Sequence, residues 1–366
     1  MKRRPVPSAL RALRVLHVDT GRTWRGGQRQ LLLLAGGLRA DGIEPLVVAP
    51  PASLLLHRLK AEGLASASFP MRSGMNLLAI RRLRRLLATW RPHVVHAHDP
   101  RAHALLDAAL LGRRRRATFL VVTQRATSIP RRTFRTSARV ARFVAISSVV
   151  RDALVAAGVT DDRITVVYPG VPAAATGPRR DWRAECDWPH TLVVAGVVGP
   201  LTEARHHAEL EVLIARLPAS TRDHLGLVLL GGPASGRTAV QGVRVMRAGF
   251  VHDVQQALAG LDLLLHPGDA EGLGTAVIEA MAAGVPTVAY DTGGIAEIVA
   301  HERNGLLVPP RDVAAFAVAT TRLVEDAALR STLAAGGPAR ARQFDAAHMI
   351  AATLAVYRDL IERSAV

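Results

Sequence analysis

The chain of 366 residues has one cysteine, Cys186, and two lysines. A single cysteine excludes an internal disulfide and a cysteine-built zinc cluster, and it fits a reducing compartment. Aromatic residues make up 4%, too few for the stacking platforms that carry single-stranded nucleic acid. No run approaches the roughly 18 apolar residues that a membrane span needs. Lys2, Arg3 and Arg4 look like the charged start of a secretory signal, but Pro5, Pro7, Arg11 and Arg14 break the stretch that would have to be apolar. The expectation is a cytoplasmic protein, at most peripheral on the inner face of the cytoplasmic membrane.

What the chain does have is an apolar fraction of 49% and a net charge of +17. The first fits a packed globular protein and excludes a disordered one. The length allows two domains, each with its own core. The charge is unevenly placed: residues 1–175 hold 30 basic and 9 acidic residues, a net of +21, and residues 176–366 a net of −4. Two halves of such different charge point to two domains with different partners.

Short apolar runs alternate with segments of helical spacing. The runs in the first half are Leu13–Val18, Pro45–Ala49, Val94–Ala97, Phe119–Val122, Phe143–Ile146 and Ile164–Val167. Those in the second are Leu192–Val198, Leu227–Leu230, Leu261–Leu265, Pro286–Tyr290 and Leu306–Val308. Uninterrupted apolar runs fit strands of a parallel sheet buried on both faces, and the βαβα rhythm predicts a doubly wound α/β architecture. Pro169–His190 reads as the linker. The expected division is 1–175, 176–345 and a closing helix, 346–366, that packs back on the N-terminal domain.

In such sheets ligands bind beyond the carboxyl ends of the strands. After the first strand come Arg25, Gly26, Gly27 and Gln28 at a helix start, which seat an anion or simply turn the chain. After the strand at Val94 come His96, Ala97, His98 and Asp99. A metal would want a third ligand, and none stands nearby in sequence, so one histidine serving as a hydrogen-bonding group is the reading. Gly199 to His207 form another strand–loop–helix unit, with Arg205 as its cation. Leu261 to Asp291 is the richest segment. A strand leads through Gly268 to Glu271, Gly272, Leu273 and Gly274, and a helix follows from Thr275 with Glu279 inside it. Loop amides and the helix dipole suit a diphosphate. Carboxylates would repel it, so Glu271 and Glu279 read as acceptors for sugar hydroxyls. Gly293 and Gly294 open a third such loop, and the repetition favours a phosphate-bearing nucleotide.

These residues resemble the retaining glycosyltransferases of family 4. The matching stretch is Glu271 to Pro286, with the E-x7-E spacing of Glu271 and Glu279, continued by Gly293, Gly294, Glu297 and Asn304–Val308. Looser matches follow in order at Arg25–Gln28, His96–Asp99, Val144–Ser147 and Tyr168–Val171. The resemblance implies the GT-B fold, two Rossmann-like doubly wound domains facing each other across a cleft. It implies transfer of a sugar, with retained configuration, from a UDP-, GDP- or ADP-sugar to a glycan or lipid-linked acceptor in envelope polysaccharide or lipopolysaccharide assembly. Glu271 would contact the donor sugar near its reacting carbon, Glu279 the ribose, and the amides of Gly272 to Thr275 the donor. Phe250 and Val251 would lie on the base, His98 by the donor sugar or the acceptor, and Gly26, Gly27 and Gly199 in glycine loops along the donor. No metal or other cofactor is expected. The leaving diphosphate would be stabilised by protein cations and helix dipoles.

One departure stands out. The family carries an Arg and, five residues on, a Lys; here these positions hold Pro200 and Arg205. Arg205 keeps the charge in another geometry, and Arg25, Arg125 or Arg237 could replace the missing cation. A slow or inactive relative therefore remains an alternative, as does a nucleotide-sugar epimerase or hydrolase. The basic half carries Arg81, Arg82, Arg84 and Arg85 on an amphipathic helix, a run at Arg113–Arg116 and a cluster from Arg131 to Arg142. These suit an anionic membrane surface or glycan. Nucleic-acid binding is the rival for that charge, but no helix-turn-helix, zinc or RNA-binding signature accompanies it. A dehydrogenase would need a three-glycine fingerprint with its distal acid, which is missing.

Overall fold

The computed structural model describes residues 13–72, 76–112, 118–129, 138–172, 177–199, 204–251, 253–268 and 272–365; residues 204–209 and 364–365 are described by backbone alone. The chain divides into two compact units. Unit 1 is Met1–Gly170 with Ala346–Val366, and unit 2 is Val171–Asp345. The passage from one to the other thus falls at 170, ahead of the sequence estimate of 175, and the last helix belongs to unit 1.

Unit 1 runs β1 (Arg14–Val18), α1 (Gly26–Ala40), β2 (Glu44–Ala49), α2 (Leu54–Ala61), β3 (Ser66–Ser68), α3 (Leu77–Trp90), β4 (Val94–Ala97), α4 (Pro100–Ala109), β5 (Phe119–Gln124), β6 (Val140–Ala145), α5 (Ser148–Ala156) and β7 (Ile164–Val166). Unit 2 runs α6 (Trp182–Cys186), β8 (Val193–Val198), α7 (Ala204–Arg216), α8 (Ala219–Asp223), β9 (Leu225–Leu230), β10 (Gly236–Val240), β11 (Val243–Gly249), α9 (Val254–Ala259), β12 (Leu263–His266), α10 (Thr275–Ala282), β13 (Thr287–Tyr290), β14 (Gly305–Val308), α11 (Val313–Glu325) and α12 (Ala327–Ala341). The chain then returns to unit 1 as α13 (Ala346–Ala365).

Each unit is built on one seven-stranded sheet. The orders are β3-β2-β1-β4-β5-β6-β7 and β10-β11-β9-β8-β12-β13-β14. Every pairing in the first sheet is parallel, and in the second only the edge strand β10 runs antiparallel, to β11. Strand order reverses once in each, between β1 and β4 and between β8 and β12. Two parallel doubly wound sheets with helices between their strands are the α/β two-domain GT-B arrangement.

The parallel strands are apolar at nearly every position because both faces are covered. In unit 1 one face packs Val15, Val94, Val121 and Val144 under Leu34 and Leu38 of α1 and Met349, Ile350 and Tyr357 of α13. In unit 2, Ala195, Leu227, Leu263 and Val288 meet Ile214, Phe316 and Leu323. Helix starts are written into the sequence. Asp99 accepts from the amides of Arg101 and Ala102 with Pro100 as the first helical residue, and Ser147 accepts from Val150.

Three strands escaped the sequence reading. β3 and β10 lie at sheet edges, polar or exposed, and so lack the apolar run that marks a buried strand. β11 alternates Val243, Arg244, Val245. Pro169–His190, expected as the linker and the lead-in to the second domain, also holds a helix that the sequence reading did not show. It contains α6, whose Trp182 is fully buried and donates from Nε1 to the Ala257 carbonyl at 2.9 Å. Arg183 of the same helix pairs with Asp262. Prolines and glycines hid a short helix that tertiary contacts hold.

Candidate functional site

The reversal of strand order leaves a crevice at the strand ends, where neighbouring loops part to opposite faces of the sheet. In unit 1 the loops at that point follow β1 and β4. They are the loops that carry Gly26 and Gly27, in the first turn of α1, and His98, just past β4. In unit 2 they follow β8 and β12 and carry Gly199 and the approach to α10.

His17 and His96 are register partners on β1 and β4, so their side chains leave the same face of the sheet, and His98 follows two residues on. All three are buried. The Nδ1 of His17 and Nε2 of His98 are 3.0 Å apart and share one proton. His96 is held at both nitrogens, Nδ1 by the Tyr357 hydroxyl at 2.6 Å and Nε2 by Thr123 Oγ1 at 2.7 Å. Burial drives the rings neutral. His17 falls to about 3, and His96 and His98 lie well below the ordinary value of 6.5, lowered further by their neighbours and by Arg125.

The sequence showed two histidines without a third ligand; the fold supplies it as His17. One nitrogen from each ring lies within 4.8 Å of the others, the one such group among the described residues. A metal would have to take one His96 nitrogen from its hydroxyl partner and break the His17–His98 bond. The contacts therefore describe a neutral hydrogen-bonded chain better than a ligand set.

Around this chain lie two carboxylates. Asp99 accepts from the amide and hydroxyl of Thr20, at 2.6 and 2.8 Å, besides capping α4. Asp19 accepts from Gly21 N at 2.8 Å and Gln28 Nε2 at 3.0 Å. Burial, then the charge of Asp99, push the Asp19 carboxyl up. These bonds tie the β1 loop to the start of α1 and to β4.

In unit 2, Gly272, Leu273 and Gly274 lead into α10, with Thr275 as its first residue. Gly294 passes so close that a Cβ there would sit 2.5 Å from the Gly272 carbonyl oxygen and 2.9 Å from Leu273 Cδ1. The second glycine loop thus fixes the first. Glu279 is buried inside α10 rather than solvated, and it lines a cavity of about 180 Å³ with Gly177, Arg179 and Gln255. Phe250 is 47% exposed just after β11, with Val251 beside it. The Gly249 carbonyl accepts from Gly231 N at 2.7 Å, joining the ends of β9 and β11.

Glu271 and Pro200 lie outside the described residues, as do Arg113–Arg116, Arg131, Arg132 and Arg135. Arg205 lies on α7, whose first residues are described by backbone alone. Of the three replacement cations named from sequence, Arg25 is exposed, Arg237 donates to the Cys186 carbonyl at 3.0 Å, and Arg125 lines a cavity at the switch point of unit 1. His17, Tyr357 and Asp19 were missed. His17 shares strand parity with Asp19, but only the β1–β4 register reveals its partners.

The family model for Glycosyltransferase Family 4 matches residues 24–175, and that for Glycosyl transferases group 1 matches residues 193–326. This chain belongs to the family 4 glycosyltransferases. The D-inositol 3-phosphate glycosyltransferase of Stackebrandtia nassauensis is 31% identical over 225 residues, 56% of this chain and 51% of that protein. The GDP-mannose-dependent alpha-mannosyltransferase of Mycolicibacterium smegmatis is 35% identical over 175 residues, 44% of this chain and 42% of that one. This family 4 chain thus spans about half the length of the curated relatives it matches. The crystal structure of Anabaena Alr3699/HepE in complex with UDP shares the fold with a TM-score of 0.79, at 21% identity over 95% of this chain and all of that one.

Two outcomes test this geometry. The unfolded chain takes up protons below pH 6.5 that the buried histidines refuse until far lower pH. Stability contributed by their neutrality is therefore complete above about 6.5 and lost as pH falls, by up to about 1.4 kcal/mol per pH unit for each ring. Urea midpoints should drop from pH 7 to 5.5, and His17→Asn should flatten that slope; a pH-independent midpoint would contradict the neutral chain. Gly294→Ala should cost about 1–3 kcal/mol of stability by overpacking against Gly272 and Leu273, read by the same denaturation.

Proposed function

We propose that this chain transfers a hexosyl group from a nucleotide sugar to a glycan or lipid-linked acceptor, with retention of anomeric configuration, in assembly of a cell-envelope glycan. One observation carries the reading. The loops with the family's motifs, after β1, β4, β8 and β12, are the loops that sheet order sets at the two switch points, where an open parallel sheet takes its ligand.

In this reading unit 2 holds the nucleotide. The amides from Gly272 to Thr275 and the N-terminus of α10 meet the diphosphate, an arrangement that holds charge without spending a cation. Glu279, buried beside its cavity, accepts from the ribose hydroxyls, and exposed Phe250 offers an apolar face to the base. Glu271 lies at the reacting carbon of the sugar. A UDP complex of the structural neighbour and a GDP-mannose-dependent relative support a nucleotide-sugar donor without fixing the base.

The acceptor side falls to unit 1. On α3, Arg81, Arg82 and Arg85 are exposed, and the helix has no acidic residue. Leu77 and Leu78 at its start are 70% and 71% exposed. Cations beside bare leucines suit an anionic bilayer surface, where each charge contributes about 1 kcal/mol. No described helix is long and apolar enough to cross a membrane, so attachment would be from the side.

Thermal shift with UDP-, GDP- and ADP-sugars should find one that stabilises the chain, and membrane extracts should then accept its labelled sugar. Glu271→Ala should reduce that transfer on the order of 100-fold or more with an unchanged melting profile; near-normal turnover would remove Glu271 from its role. No affinity for any nucleotide sugar, together with salt-sensitive binding to duplex DNA or RNA, would replace this reading by the nucleic-acid one. Phosphatidylglycerol vesicles should sediment the protein at low salt and release it at high salt, while phosphatidylcholine vesicles should not. Equal binding to both would set the arginines of α3 aside.

A further inference from the structure

The loop that leads into α10 is gripped by a second segment. Gly274 takes a left-handed backbone, with φ +83°, and a Cβ on it would lie 2.5 Å from Ile295 Cδ1. Gly272, two residues earlier, has its carbonyl against Gly294. Consecutive residues, Gly294 and Ile295, thus fit the two glycines of the loop, and Ile295 is fully buried there. They belong to one short 3-10 turn, Gly293–Glu297. A single turn of this kind leaves its last carbonyls without partners inside the turn and does not hold its place alone.

The partners come from farther along the chain. Arg340, in the last turn of α12, donates from Nη2 to the Glu297 carbonyl at 2.5 Å and from Nε to the Ile298 carbonyl at 3.4 Å. Asn304 Nδ2 shares the Ile298 carbonyl at 3.4 Å and meets Met281 Sδ of α10 at 3.2 Å, while Asn304 Oδ1 accepts from Ala300 N at 2.8 Å. The guanidinium is itself fixed. Its Nη1 donates to Gln343 Oε1 at 2.5 Å, and its carbon lies 5.3 Å from the centre of the buried Phe344 ring. α12 can bring Arg340 this near because Gly336 and Gly337 have no side chains. A Cβ on Gly336 would overlap the Arg303 carbonyl, and one on Gly337 would lie 2.7 Å from the Met281 carbonyl. Serving two successive carbonyls from one rigid planar fork is something that arginine does and lysine does not.

We infer that Arg340 is a positioning residue for a diphosphate: it braces the turn Gly293–Glu297, and that turn sets the amides of Gly272 to Thr275. The inference rests on the reading that those amides meet the diphosphate of a nucleotide sugar. The brace does not; it stands on contacts within unit 2. Its effect is separable from stability. A loop displaced by a fraction of an ångström still folds, but its amides no longer converge on one anion. Affinity for the phosphates then falls, while the rest of a nucleotide binds as before.

The test pairs amide hydrogen exchange with calorimetry, both on the full chain and well below its melting temperature. In Arg340→Gln the amides of 272–275 and 293–299 should exchange about fivefold or more faster, and those of unit 1 should not change. UDP, GDP and ADP are titrated in turn. The one that binds the wild type should bind Arg340→Gln roughly tenfold or more weakly, and its nucleoside, which lacks the phosphates, within about twofold of the wild type. Arg340→Lys, which keeps the charge and loses the fork, should fall between wild type and Arg340→Gln. If Arg340→Gln does not fold, Arg340→Lys carries the same comparison. Exchange unchanged at both loops in the two variants, or diphosphate affinity unchanged, would overturn the inference. So would equal losses for diphosphate and nucleoside, the mark of a general loosening. A wild type that binds none of the three diphosphates, with exchange of the loops still set by Arg340, would remove the nucleotide reading and leave the brace standing.

Discussion

A parallel sheet covered on both faces can offer a ligand only the ends of its strands. Everything functional in this chain follows from that constraint. Burial of both faces makes β1, β4, β8 and β12 run largely apolar, histidines apart. Polar chemistry is forced into the loops that follow them. Reversal of strand order then decides which loops matter, because only at β1/β4 and β8/β12 do adjacent crossovers leave to opposite sides and open a gap. A glycine pair, a histidine and a glycine-rich helix start stand at those gaps for geometric reasons, before any ligand is considered.

The histidines are the exception to the apolar rule, and they show how a buried polar group is tolerated. Three imidazoles under α1 and α13 would be expensive if charged. They avoid that cost by staying neutral and by bonding to hydroxyls and to each other. Tyr357 comes from α13, the last helix of the chain, and reaches His96 across 261 residues of sequence. The closing helix therefore does more than cover the sheet. It supplies the partner without which His96 would carry a buried nitrogen unsatisfied, so a local cluster at the site depends on the chain completing unit 1.

Most of the architecture was legible because it is written in local pattern. The run Val94–Ala97 matches its strand to the residue, and the helix expected from Thr275 begins there, since an apolar run and the glycines before the helix mark them. The four loops were legible too, as glycines and histidines at strand ends. What the sequence hid depends on register and distance. His17 is one more residue in an apolar strand until β1 is paired with β4 and brings it level with His96. α6 hid in a proline- and glycine-rich stretch because its stability comes from burial of Trp182 rather than from helical pattern. Edge strands β3 and β10 lack the apolar signature because edges are not buried.

The charge imbalance also finds a physical division. In unit 2 the groups suited to phosphate are backbone amides at a helix start, which carry partial charge without ionisable side chains, so that unit needs no basic surplus. In unit 1 the surplus takes two forms that act differently. On α3, Arg81, Arg82 and Arg85 are solvated; they attract any anion over about 10 Å and lose that attraction as salt rises. Arg125 stands apart, partly buried against the Gly27 carbonyl and so screened less. A surface of solvated arginines can gather an anionic partner but cannot orient it, because each side chain is free to move. Orientation needs a cation confined by its surroundings, and Arg125, set against the Gly27 carbonyl beside a cavity lined by His96 and His98, is more confined than the arginines of α3.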